Sequence, residues 1–458
     1  MRVIGLDIGT TTLSAVALNA RTGEVAATLN QPNRAALDTG EPFARAQDAD
    51  KIVAQLTAMA DELRRACGSV AAIGLTGQMH GMLYVDAEGR AISPLYTWQD
   101  GRGEQPFAGG TYASELSRRT GYPMATGFGL TTHFWHAQNA RVPEGAAAIC
   151  TIFDYAGMRL TGRKTPRMHV SGAASFGLFD QDACAWDVEA LSRAGLDAAL
   201  LPEVTADCAL LGEDANGTPV SCGIGDNQAS FIGGVRDMEK GLLVNMGTGG
   251  QVSALAGQTA ALENCERRPL GEGRFILAGS SLCGGRAYAL LEGFLRSCAA
   301  LAGCSVPSLY EAMNRAALPA LDLADLWQVD TRFCGARRQP HLRGSFQGVG
   351  ADNFDAAHLL GGALLGMARE LRDLYGEMRA AGAPAAGQMV GSGNALRRNP
   401  ALRLAFERTF QLPMVIPAHL EEAAFGAALF ALTASGLAPT LAQAQRLIAY
   451  QAPAPEAG

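Results

Sequence analysis

Apolar and polar positions in the first part of the chain alternate in short blocks, and each apolar run ends in a turn of small residues. Residues 2–8 and 13–18 are apolar, β-compatible runs separated by the turn 9–12, which predicts a β-hairpin. Residues 46–67 carry apolar side chains near one face of a helix, and residues 71–75 predict a further short strand. Strands mixed with amphipathic helices indicate an α/β domain.

A second unit with the same opening is predicted to begin near residue 236. Residues 241–246 form an apolar run, 247–250 a Gly-Thr turn and 251–255 another strand, which repeats the order strand, turn, strand. Helical patterns follow at 286–302, 354–382 and 421–436. The sequence therefore predicts two α/β domains, residues 1–235 and 236–458, with a cleft between them.

Composition narrows the class of protein. The 458 residues are 48% hydrophobic, 18% charged and 7% aromatic, with a net charge of −7. Neither a basic face for duplex nucleic acid nor rows of aromatic platforms for single strands are expected from this balance. No run reaches the roughly 18 apolar residues of a membrane span, so no membrane partner is expected.

The ten cysteines contain no C-x-x-C pair, and in a chain of this length they predict reduced thiols. The N-terminal residues lack the pattern of a signal peptide, because Asp7 interrupts the apolar run. The expected location is therefore the cytoplasm. The sequence leaves the oligomeric state open, with a homodimer among the expected forms.

The first hairpin turn has the composition of a phosphate-binding loop. Gly9 permits close approach of the backbone, and Thr10, Thr11 and Thr12 can supply hydroxyl and amide donors. Asp7, at the end of the preceding strand, is placed to hold Mg²⁺ through water. A Walker A loop is excluded because G-x-x-x-x-G-K-[ST] is absent, and an ordinary hairpin turn is the alternative.

The second unit repeats this loop after its own apolar strand. The residues of the second turn are Gly247, Thr248, Gly249 and Gly250. Two such loops, each opening one half of the chain, suggest a pair that grips one polyphosphate, although two unrelated tight turns are the alternative.

A third segment of small residues also follows an apolar strand. Its residues are Gly391, Ser392, Gly393 and Asn394. Such a turn lets an adenine ring lie against the backbone, but taken alone it is a weak signal for a nucleotide site.

The segment 222–229 carries the best candidate for an acid–base group. Its glycines let the chain turn sharply before Asp226 and Asn227, which stand near a predicted helix start. Phosphoryl transfer mainly requires positioning and neutralisation of charge, and its one acid–base role is a carboxylate that accepts the proton of the acceptor hydroxyl. Asp226 is therefore the candidate base, with a helix N-cap as the alternative.

Two polar loops in the first unit combine apolar and hydrogen-bonding groups as sugar sites do. Trp98 offers an apolar face to the carbon side of a sugar. The hydrogen-bonding candidates in these loops are Gln78, His80, Gln99, Asp100 and Arg102. A histidine satisfied in the core and a local salt bridge between Asp100 and Arg102 are the alternatives.

Together and in this order, these segments resemble the FGGY carbohydrate kinase family, within the superfamily of ATPases that includes actin and hexokinase. The resemblance runs across nearly the whole chain: 7–12 and 247–250 match the phosphate loops, 223–228 the base segment and 391–394 the adenosine loop. It implies that Asp226 is the catalytic base and that Gly335 lies near the nucleotide. The implied fold is two ribonuclease-H-like domains around a central cleft that closes on binding.

Within the family, residues 77–81 are similar to xylulokinases, whereas residues 97–102 and 337–344 are similar to sedoheptulokinases. Gln99 stands where xylulokinases usually carry asparagine, which is shorter by one methylene. The resemblance implies ATP-dependent phosphorylation of the terminal hydroxyl of a ketose, O7 of sedoheptulose or, as the alternative, O5 of xylulose. A non-catalytic nucleotide-binding module on the same fold is a further alternative.

The resemblance also implies the partners of the site. ATP and a small sugar are the expected ligands, with Asp7 and Mg²⁺ offsetting the charge of the polyphosphate. Met79 and Asn227 are expected to join the sugar-binding residues named above.

Overall fold

The computed structural model of the protein describes residues 1–257, 262–337, 339 and 341–452. The chain divides into two compact units. The first comprises Met1–Arg236, Arg268–Arg274 and His419–Ile448, and the second comprises the described residues of Asp237–Arg267, Phe275–Ala418 and 449–452. Residues 268–274 and 419–448 thus belong to the first unit, whereas the predicted division after residue 235 assigned them to the second. Arg338 and Pro340, from the segment compared with sedoheptulokinases, lie outside the described residues.

The strands and helices are numbered in chain order. The strands are β1 (Arg2–Ile8), β2 (Thr12–Asn19), β3 (Val25–Pro32), β4 (Ala36–Leu37), β5 (Ala46–Gln47), β6 (Val70–Gly77), β7 (Leu83–Val85), β8 (Leu95–Tyr96), β9 (Pro106–Phe107), β10 (Gly110–Thr111), β11 (Ala148–Cys150), β12 (Arg167–His169), β13 (Phe179–Asp180), β14 (Ala185–Trp186), β15 (Glu203–Thr205), β16 (Leu210–Glu213), β17 (Pro219–Gly225), β18 (Gly241–Met246), β19 (Gly250–Leu255), β20 (Cys265–Gly271), β21 (Arg274–Ser281), β22 (Gln328–Asp330), β23 (Ser345–Gln347), β24 (Gln388–Ser392) and β25 (Met414–Val415). The α-helices are α1 (Ala49–Cys67), α2 (Tyr112–Thr120), α3 (Gly129–Gln138), α4 (Ile152–Thr161), α5 (Val170–Phe176), α6 (Val188–Ala194), α7 (Asp226–Gly234), α8 (Gly284–Leu301), α9 (Tyr310–Ala320), α10 (Ala356–Ala380), α11 (Asn394–Arg398), α12 (Pro400–Phe410), α13 (Glu422–Ala434) and α14 (Leu441–Gln445). Short 3₁₀ helices span Gly101–Glu104 and Ala198–Leu200.

The main sheet of the first unit has the strand order β16-β17-β6-β1-β2-β3. Strand β1 pairs antiparallel with β2 and parallel with β6, and β6 pairs parallel with β17. In this register Gly77 lies opposite both Ile8 and Gly225. The carboxyl ends of β1, β6 and β17 therefore lie level with one another at one edge of the sheet.

Helix α13 packs its backbone directly against β1 and β6. A Cβ atom on Gly5 would lie 1.8 Å from the carbonyl oxygen of Ala424, and one on Gly74 would lie 1.9 Å from that of Ala427. Only glycine allows this approach, because any side chain at these positions would push the helix off the sheet. The contact holds in place the two strands whose ends carry candidate site residues.

A second core of the first unit supports the loops that follow these strands. It is formed around aromatic side chains from β7, α3 and α5, including Tyr84, Phe134 and Phe176, none of which is exposed to solvent. Large rings bury much apolar area and pack with defined geometry, so they give the neighbouring loops a rigid base.

The main sheet of the second unit has the strand order β20-β21-β19-β18-β24-β25. Strand β18 pairs antiparallel with β19 and parallel with β24, and β24 pairs parallel with β25. In the second unit β21, β19 and β18 are antiparallel neighbours followed by the parallel strands β24 and β25, and β3-β2-β1-β6-β17 of the first unit has the same order of pairing. The hairpin-led opening predicted for both halves is confirmed by β1–β2 and β18–β19, and the three later helical patterns are confirmed by α8, α10 and α13.

Two further expectations concern the chain as a whole. Within the part of the chain that the structure describes, no helix combines the length and apolar character needed to cross a membrane. The ten cysteines all lie in that part and are free thiols.

Candidate active site

Two aspartate side chains lie at the edge of the first sheet where its parallel strands end. Asp7 is the penultimate residue of β1, and Asp226 directly follows β17 as the first residue of α7. Because β6 lies between β1 and β17, the two backbones are separated by two strand spacings, roughly 10 Å. Each side chain is half-buried.

The charges at this edge are unfavourable to one another. Burial, followed by the charges of Asp226 and Glu421, raises the pKa of Asp7 to about 8. Oδ1 of Asp7 is buried and has no hydrogen-bond partner among the described residues. The side chain of Asn30 donates to Glu421 at 2.9 Å, which holds that third carboxylate near the edge. Asp7 therefore lies among negative charges, and among the described residues its Oδ1 receives no hydrogen bond.

Asp226 is held by the turn that precedes it. The N–H of Gly225 donates to Oγ of Ser171 at 3.0 Å, and that hydroxyl lies 2.8 Å from Nδ1 of His169. Burial lowers the pKa of His169 to about 3, which favours a neutral ring. Its Nδ1 also accepts the N–H of Ser171 at 3.3 Å, so Nδ1 is the acceptor for the Ser171 hydroxyl. Oδ1 of Asp226 accepts the N–H of Asn227 at 2.7 Å. The N-cap of α7 is Gly225, so the predicted N-cap alternative for Asp226 is not what the helix uses.

The environment of Asp226 suits a base. Burial raises the pKa of its carboxyl, and the positive charge of Arg268 opposes that rise. A raised pKa strengthens the carboxylate as a proton acceptor, whereas a nearby cation keeps part of the population ionised.

The first hairpin turn joins β1 to β2. A Cβ atom on Gly9 would lie 2.6 Å from the carbonyl oxygen of Thr12, so no larger residue fits there. Asn33 braces the turn, because its side chain donates to the Gly9 carbonyl at 3.0 Å and its N–H donates to the Thr11 carbonyl at 2.9 Å. Thr11 and Thr12 are exposed, whereas Thr10 is half-buried. The assignment of this turn to phosphate binding stays a prediction.

The loop 78–81, which is predicted to contact the sugar and is called the first sugar loop, follows β6 at the same edge of the sheet. The N–H of Gln78 donates to the Ile8 carbonyl at 2.9 Å, so the loop begins beside the end of β1. A Cβ atom on Gly225 would lie 2.7 Å from Sδ of Met79, which places the methionine against the turn that carries Asp226. The structure thus brings Gln78 and Met79 beside the two candidate acids.

His80 ends this loop in a constrained conformation. Its φ is 71°, a left-handed value that few residues other than glycine adopt. Nδ1 donates to the carbonyl of Ser175 at 2.8 Å, and the ring stacks on Phe128 with 4.6 Å between centroids. The imidazole orientation is therefore fixed on both its edge and its face.

The loop 97–102, also predicted to contact the sugar and called the second sugar loop, has both exposed and buried side chains. Trp98 is 47% exposed and Gln99 is exposed, so both are open to a ligand. Asp100 and Arg102 are buried and form an ion pair with each other, and Arg102 also pairs with Glu41 at 2.6 Å. The structure therefore has the predicted alternative, a local salt bridge between Asp100 and Arg102.

Aromatic rings enclose the Arg102 guanidinium. Its carbon lies 4.4 Å from the ring centroid of Tyr96 and 5.0 Å from that of Trp135. Asp100 in turn accepts the N–H of Arg45 at 3.0 Å. These contacts fix the shape of the loop from beneath, while Trp98 and Gln99 form its outer surface.

The second Gly-Thr turn, between β18 and β19, is covered by the start of α8. The N–H groups of Gly285 and Arg286 donate to the carbonyls of Gly247 and Thr248 at 2.9 and 3.0 Å. A Cβ atom on Gly284 would lie 2.3 Å from the carbonyl carbon of Gly249. The turn and the helix start therefore form one small-residue surface in the second unit.

The two other nucleotide candidates lie near this turn. Gly393 has φ 83°, and a Cβ atom there would lie 2.5 Å from the carbonyl oxygen of Met246, just before the turn. Gly391 and Ser392 end β24, and Asn394 begins α11. Gly335 also has a positive φ, 76°, and Sγ of its neighbour Cys334 lies 3.6 Å from Sγ of Cys283, the residue that precedes α8. The second unit thus brings all three predicted nucleotide segments together.

Several residues of these sites escaped the sequence reasoning. Glu421 and Arg268 reach the edge from distant segments, and no local pattern marks either. Ser171 lies in a helix without a recognisable motif. Gly284 and Gly285 could have been found, because a glycine pair between an apolar strand and a helix is the same signal that marked the other loops.

Comparison with known proteins identifies the family. The sequence profile described as the FGGY family of carbohydrate kinases, N-terminal domain, matches residues 2–243. The chain belongs to the FGGY family of carbohydrate kinases.

The relatives of this FGGY kinase match between about half and nearly all of its length. Sedoheptulokinase from Mus musculus is 29% identical over 94% of the chain and 97% of its own length. Xylulose kinase from Streptomyces coelicolor is 32% identical over 56% of the chain and 54% of its own length. Among solved structures, xylulose kinase from Rhodospirillum rubrum superposes with a TM-score of 0.83 at 20% identity, covering 99% of this chain and 93% of that one.

Family membership confirms the predicted fold class, α/β with two ribonuclease-H-like domains of the superfamily that includes actin and hexokinase. It also makes this chain a sugar phosphotransferase with ATP as co-substrate, rather than a non-catalytic nucleotide-binding module.

The electrostatics of Asp7 generate a prediction about stability. In the unfolded chain its pKa is the ordinary 3.8, and in the folded protein it is about 8. Between these two pH values the folded state binds a proton that the unfolded state has lost. The stability that this proton contributes is therefore full below about pH 4 and is lost as the pH rises to about 8. Asparagine has no proton to lose. In the protein without ligands, Asp7→Asn should raise the melting temperature by an amount that grows from pH 5 to pH 8 and then levels off.

Calorimetry of both proteins across this pH range makes the test. Asp38→Asn, which removes a carboxylate from an exposed loop, serves as the control and should show no such growth. A difference between Asp7→Asn and the wild type that stays constant from pH 5 to pH 8 would contradict the buried, mutually repelling arrangement.

Proposed function

We propose that this FGGY kinase transfers the γ-phosphoryl group of ATP to the terminal hydroxyl of a ketose, and that sedoheptulose, giving sedoheptulose 7-phosphate, is its preferred substrate. The proposal rests on the extent of similarity: sedoheptulokinase from Mus musculus aligns with nearly the whole chain, whereas xylulose kinase from Streptomyces coelicolor aligns with about half. The exposed Gln99, in a loop similar to that of sedoheptulokinases, supports the same choice.

Asp226 is the proposed base. Its carboxylate takes the proton of the terminal hydroxyl as the oxygen bonds to the γ-phosphorus and the bond from that phosphorus to the bridging oxygen of ADP breaks. The raised pKa of Asp226 and the fixed turn at Gly225 support this role. Met79, packed against Gly225, would help to position the hydroxyl beside the carboxylate.

Sugar recognition is proposed for the side chains around these acids. Trp98 and Gln99 would contact the sugar directly, with Gln78, His80 and Asn227 as further hydrogen-bonding groups. Asp100 and Arg102 would act by holding the loop that presents Trp98 and Gln99, since both are buried and ion-paired. A groove of about 870 Å³ in the first unit lies beside this loop, and it is lined mainly by residues 33–47 together with Thr10, Thr11, Thr97 and Gln99.

Phosphate and nucleotide binding are proposed for the two Gly-Thr turns. Gly9, Thr10, Thr11 and Thr12 in the first unit, and 247–250 in the second, would hold the polyphosphate through backbone N–H and hydroxyl groups. The adenosine would lie against 391–394 and Gly335, which the second unit brings near its own turn.

Asp7 is the proposed holder of Mg²⁺. A buried carboxylate oxygen without a donor, in surroundings rich in negative charge, fits a cation. Mg²⁺ in kinases is usually bound through one or two carboxylates, water and substrate phosphates, so a single aspartate at this position would suffice. When bound, the ion would offset the charge of the phosphates.

Xylulose is the second candidate substrate. The xylulose kinase from Streptomyces coelicolor is the more identical relative over the part it matches, and residues 77–81 are similar to that group. We propose the cytoplasm as the location because all ten cysteines are free thiols. A homodimer stays a prediction.

A comparison of ketoses tests the substrate proposal. The ratio of kcat/KM for sedoheptulose to that for xylulose should exceed one in the wild type, measured by coupled ADP release. Gln99→Asn shortens the side chain by one methylene, and it should lower this ratio roughly tenfold, as expected when one methylene contact is changed. Gln138→Asn, at an exposed position of α3, is the matched control and should leave the ratio unchanged. A wild-type preference for xylulose would overturn the assignment of sedoheptulose.

Removal of the base tests the chemistry. Asp226→Ala should lower kcat by ~10²–10⁴, the usual contribution of a general base, while the Kd for ATP stays within a small factor of the wild type. Asp187→Ala removes an aspartate that caps α6 and should retain kcat. Near-normal kcat in Asp226→Ala would remove this residue from the role of base.

A further inference from the structure

A closed ring of hydrogen bonds joins the first hairpin turn to the first sugar loop. The side chain of Gln47 donates from Nε2 to the carbonyl of Thr10 at 2.8 Å and accepts at Oε1 from Nε2 of Gln78 at 2.9 Å. Oε1 of Gln78 accepts the hydroxyl of Thr10 at 3.1 Å, which closes the ring. The Thr10 hydroxyl also accepts Nε1–H of Trp98 at 2.9 Å, so the second sugar loop is attached to the same ring.

Gln47 is placed in the ring by backbone structure on both sides. It lies in the two-residue strand β5, which pairs with β4 and with β8, the strand just before the Trp98 loop. Its side chain is 5% exposed, and that of Gln78 is 3% exposed. Gln47 lies in the wall of the groove in the first unit, but both ends of its amide are used by the ring, which leaves the residue little capacity for a direct contact with a ligand.

We propose that Gln47 is a positioning residue that couples the sugar loops to the phosphate loop, so that the geometry of each loop depends on the other. This inference rests on the proposed function, in which the loops at 78–80 and 98–99 hold the ketose and the turn at 9–12 holds phosphate. A shift of Trp98 or Gln78 strains the bonds to Thr10, and a shift of Thr10 strains those to Gln78 and Trp98. Burial strengthens the coupling, because an amide that loses its partner in the ring finds no water to replace it.

The bonds of the ring generate a cross-effect that a direct contact would not. Trp98→Phe keeps an aromatic face for the sugar but removes the N–H that donates to Thr10. It should therefore raise the KM for ATP as well as that for the ketose. Each lost hydrogen bond is expected to change the affected constant by roughly three- to tenfold.

Substitution of Gln47 itself should affect both substrates. Gln47→Leu removes both of its bonds and should raise the KM for ATP and the KM for the ketose, each by roughly three- to tenfold. Gln47→Glu keeps an acceptor for Gln78 but sets a carboxylate against the Thr10 carbonyl, so its larger effect should fall on ATP. Gln55→Leu, a glutamine of α1 whose side chain donates to the Pro32 carbonyl outside the ring, is the matched control and should change neither constant.

A double substitution separates positioning from a general loss of stability. If Gln47 and Trp98 act through the same Thr10, the combination Gln47→Leu and Trp98→Phe should raise the KM for ATP by less than the product of the single effects. If the two residues had independent, purely structural roles, their single effects on the KM for ATP would multiply in the double variant. Trp98 is exposed, so its single variant tests the coupling even where Gln47→Leu does not fold.

The measurement that decides this proposal is distinct from the assays that test the proposed function. The Kd of a non-hydrolysable ATP analogue, measured by calorimetry without sugar, reports the phosphate loop whether or not any ketose is turned over. A rise of that Kd in Trp98→Phe supports the coupling. An unchanged Kd in Trp98→Phe, or a Gln47→Leu variant that alters only the ketose constant, would overturn it, whereas a wild type inactive with all ketoses would overturn the substrate assignment alone.

Discussion

Strand register at the carboxyl edge of the first sheet is the constraint on which the candidate active site depends. Gly77 of β6 lies opposite both Ile8 of β1 and Gly225 of β17, so three parallel strands end level with one another. Side chains that are far apart in sequence, Asp7 and Asp226 above all, meet at that edge for this reason. The backbone contact of α13 with β1 and β6, possible only because glycines face it, keeps the register in place.

The same edge concentrates negative charge, and this is unfavourable for the empty protein. Burial and two neighbouring carboxylates make ionisation of Asp7 costly, and its Oδ1 receives no hydrogen bond. Active sites often keep such groups because a ligand supplies what the protein withholds, and in the function proposed for this kinase these are a cation and the proton of an acceptor hydroxyl. The ring of Gln47, Thr10 and Gln78 adds a second requirement, because it joins the turn proposed to hold phosphate to the loops proposed to hold the sugar.

Much of this arrangement could be predicted from the sequence, and the limits of that prediction have physical causes. The hairpin-led openings, the Gly-Thr turns and the position of Asp226 at a helix start are local patterns, and the structure has all of them. Glu421 and Arg268 could not be found, because only the tertiary fold brings them to the edge. Gln47 shows the same limit, since nothing in its neighbourhood in the sequence indicates a bond to Thr10 or Gln78.

The central claim is that Asp7 and Asp226 form one electrostatic unit at the end of the sheet. Carbon NMR titration of the Asp7 carboxyl, in the wild type and in Asp226→Asn without ligands, tests it most directly. Removing the neighbouring charge should lower the pKa of Asp7 below the value of about 8 that it has in the intact pair. An Asp7 that titrates at the same pH in both proteins would contradict the account, because the two carboxyls would then not share a site.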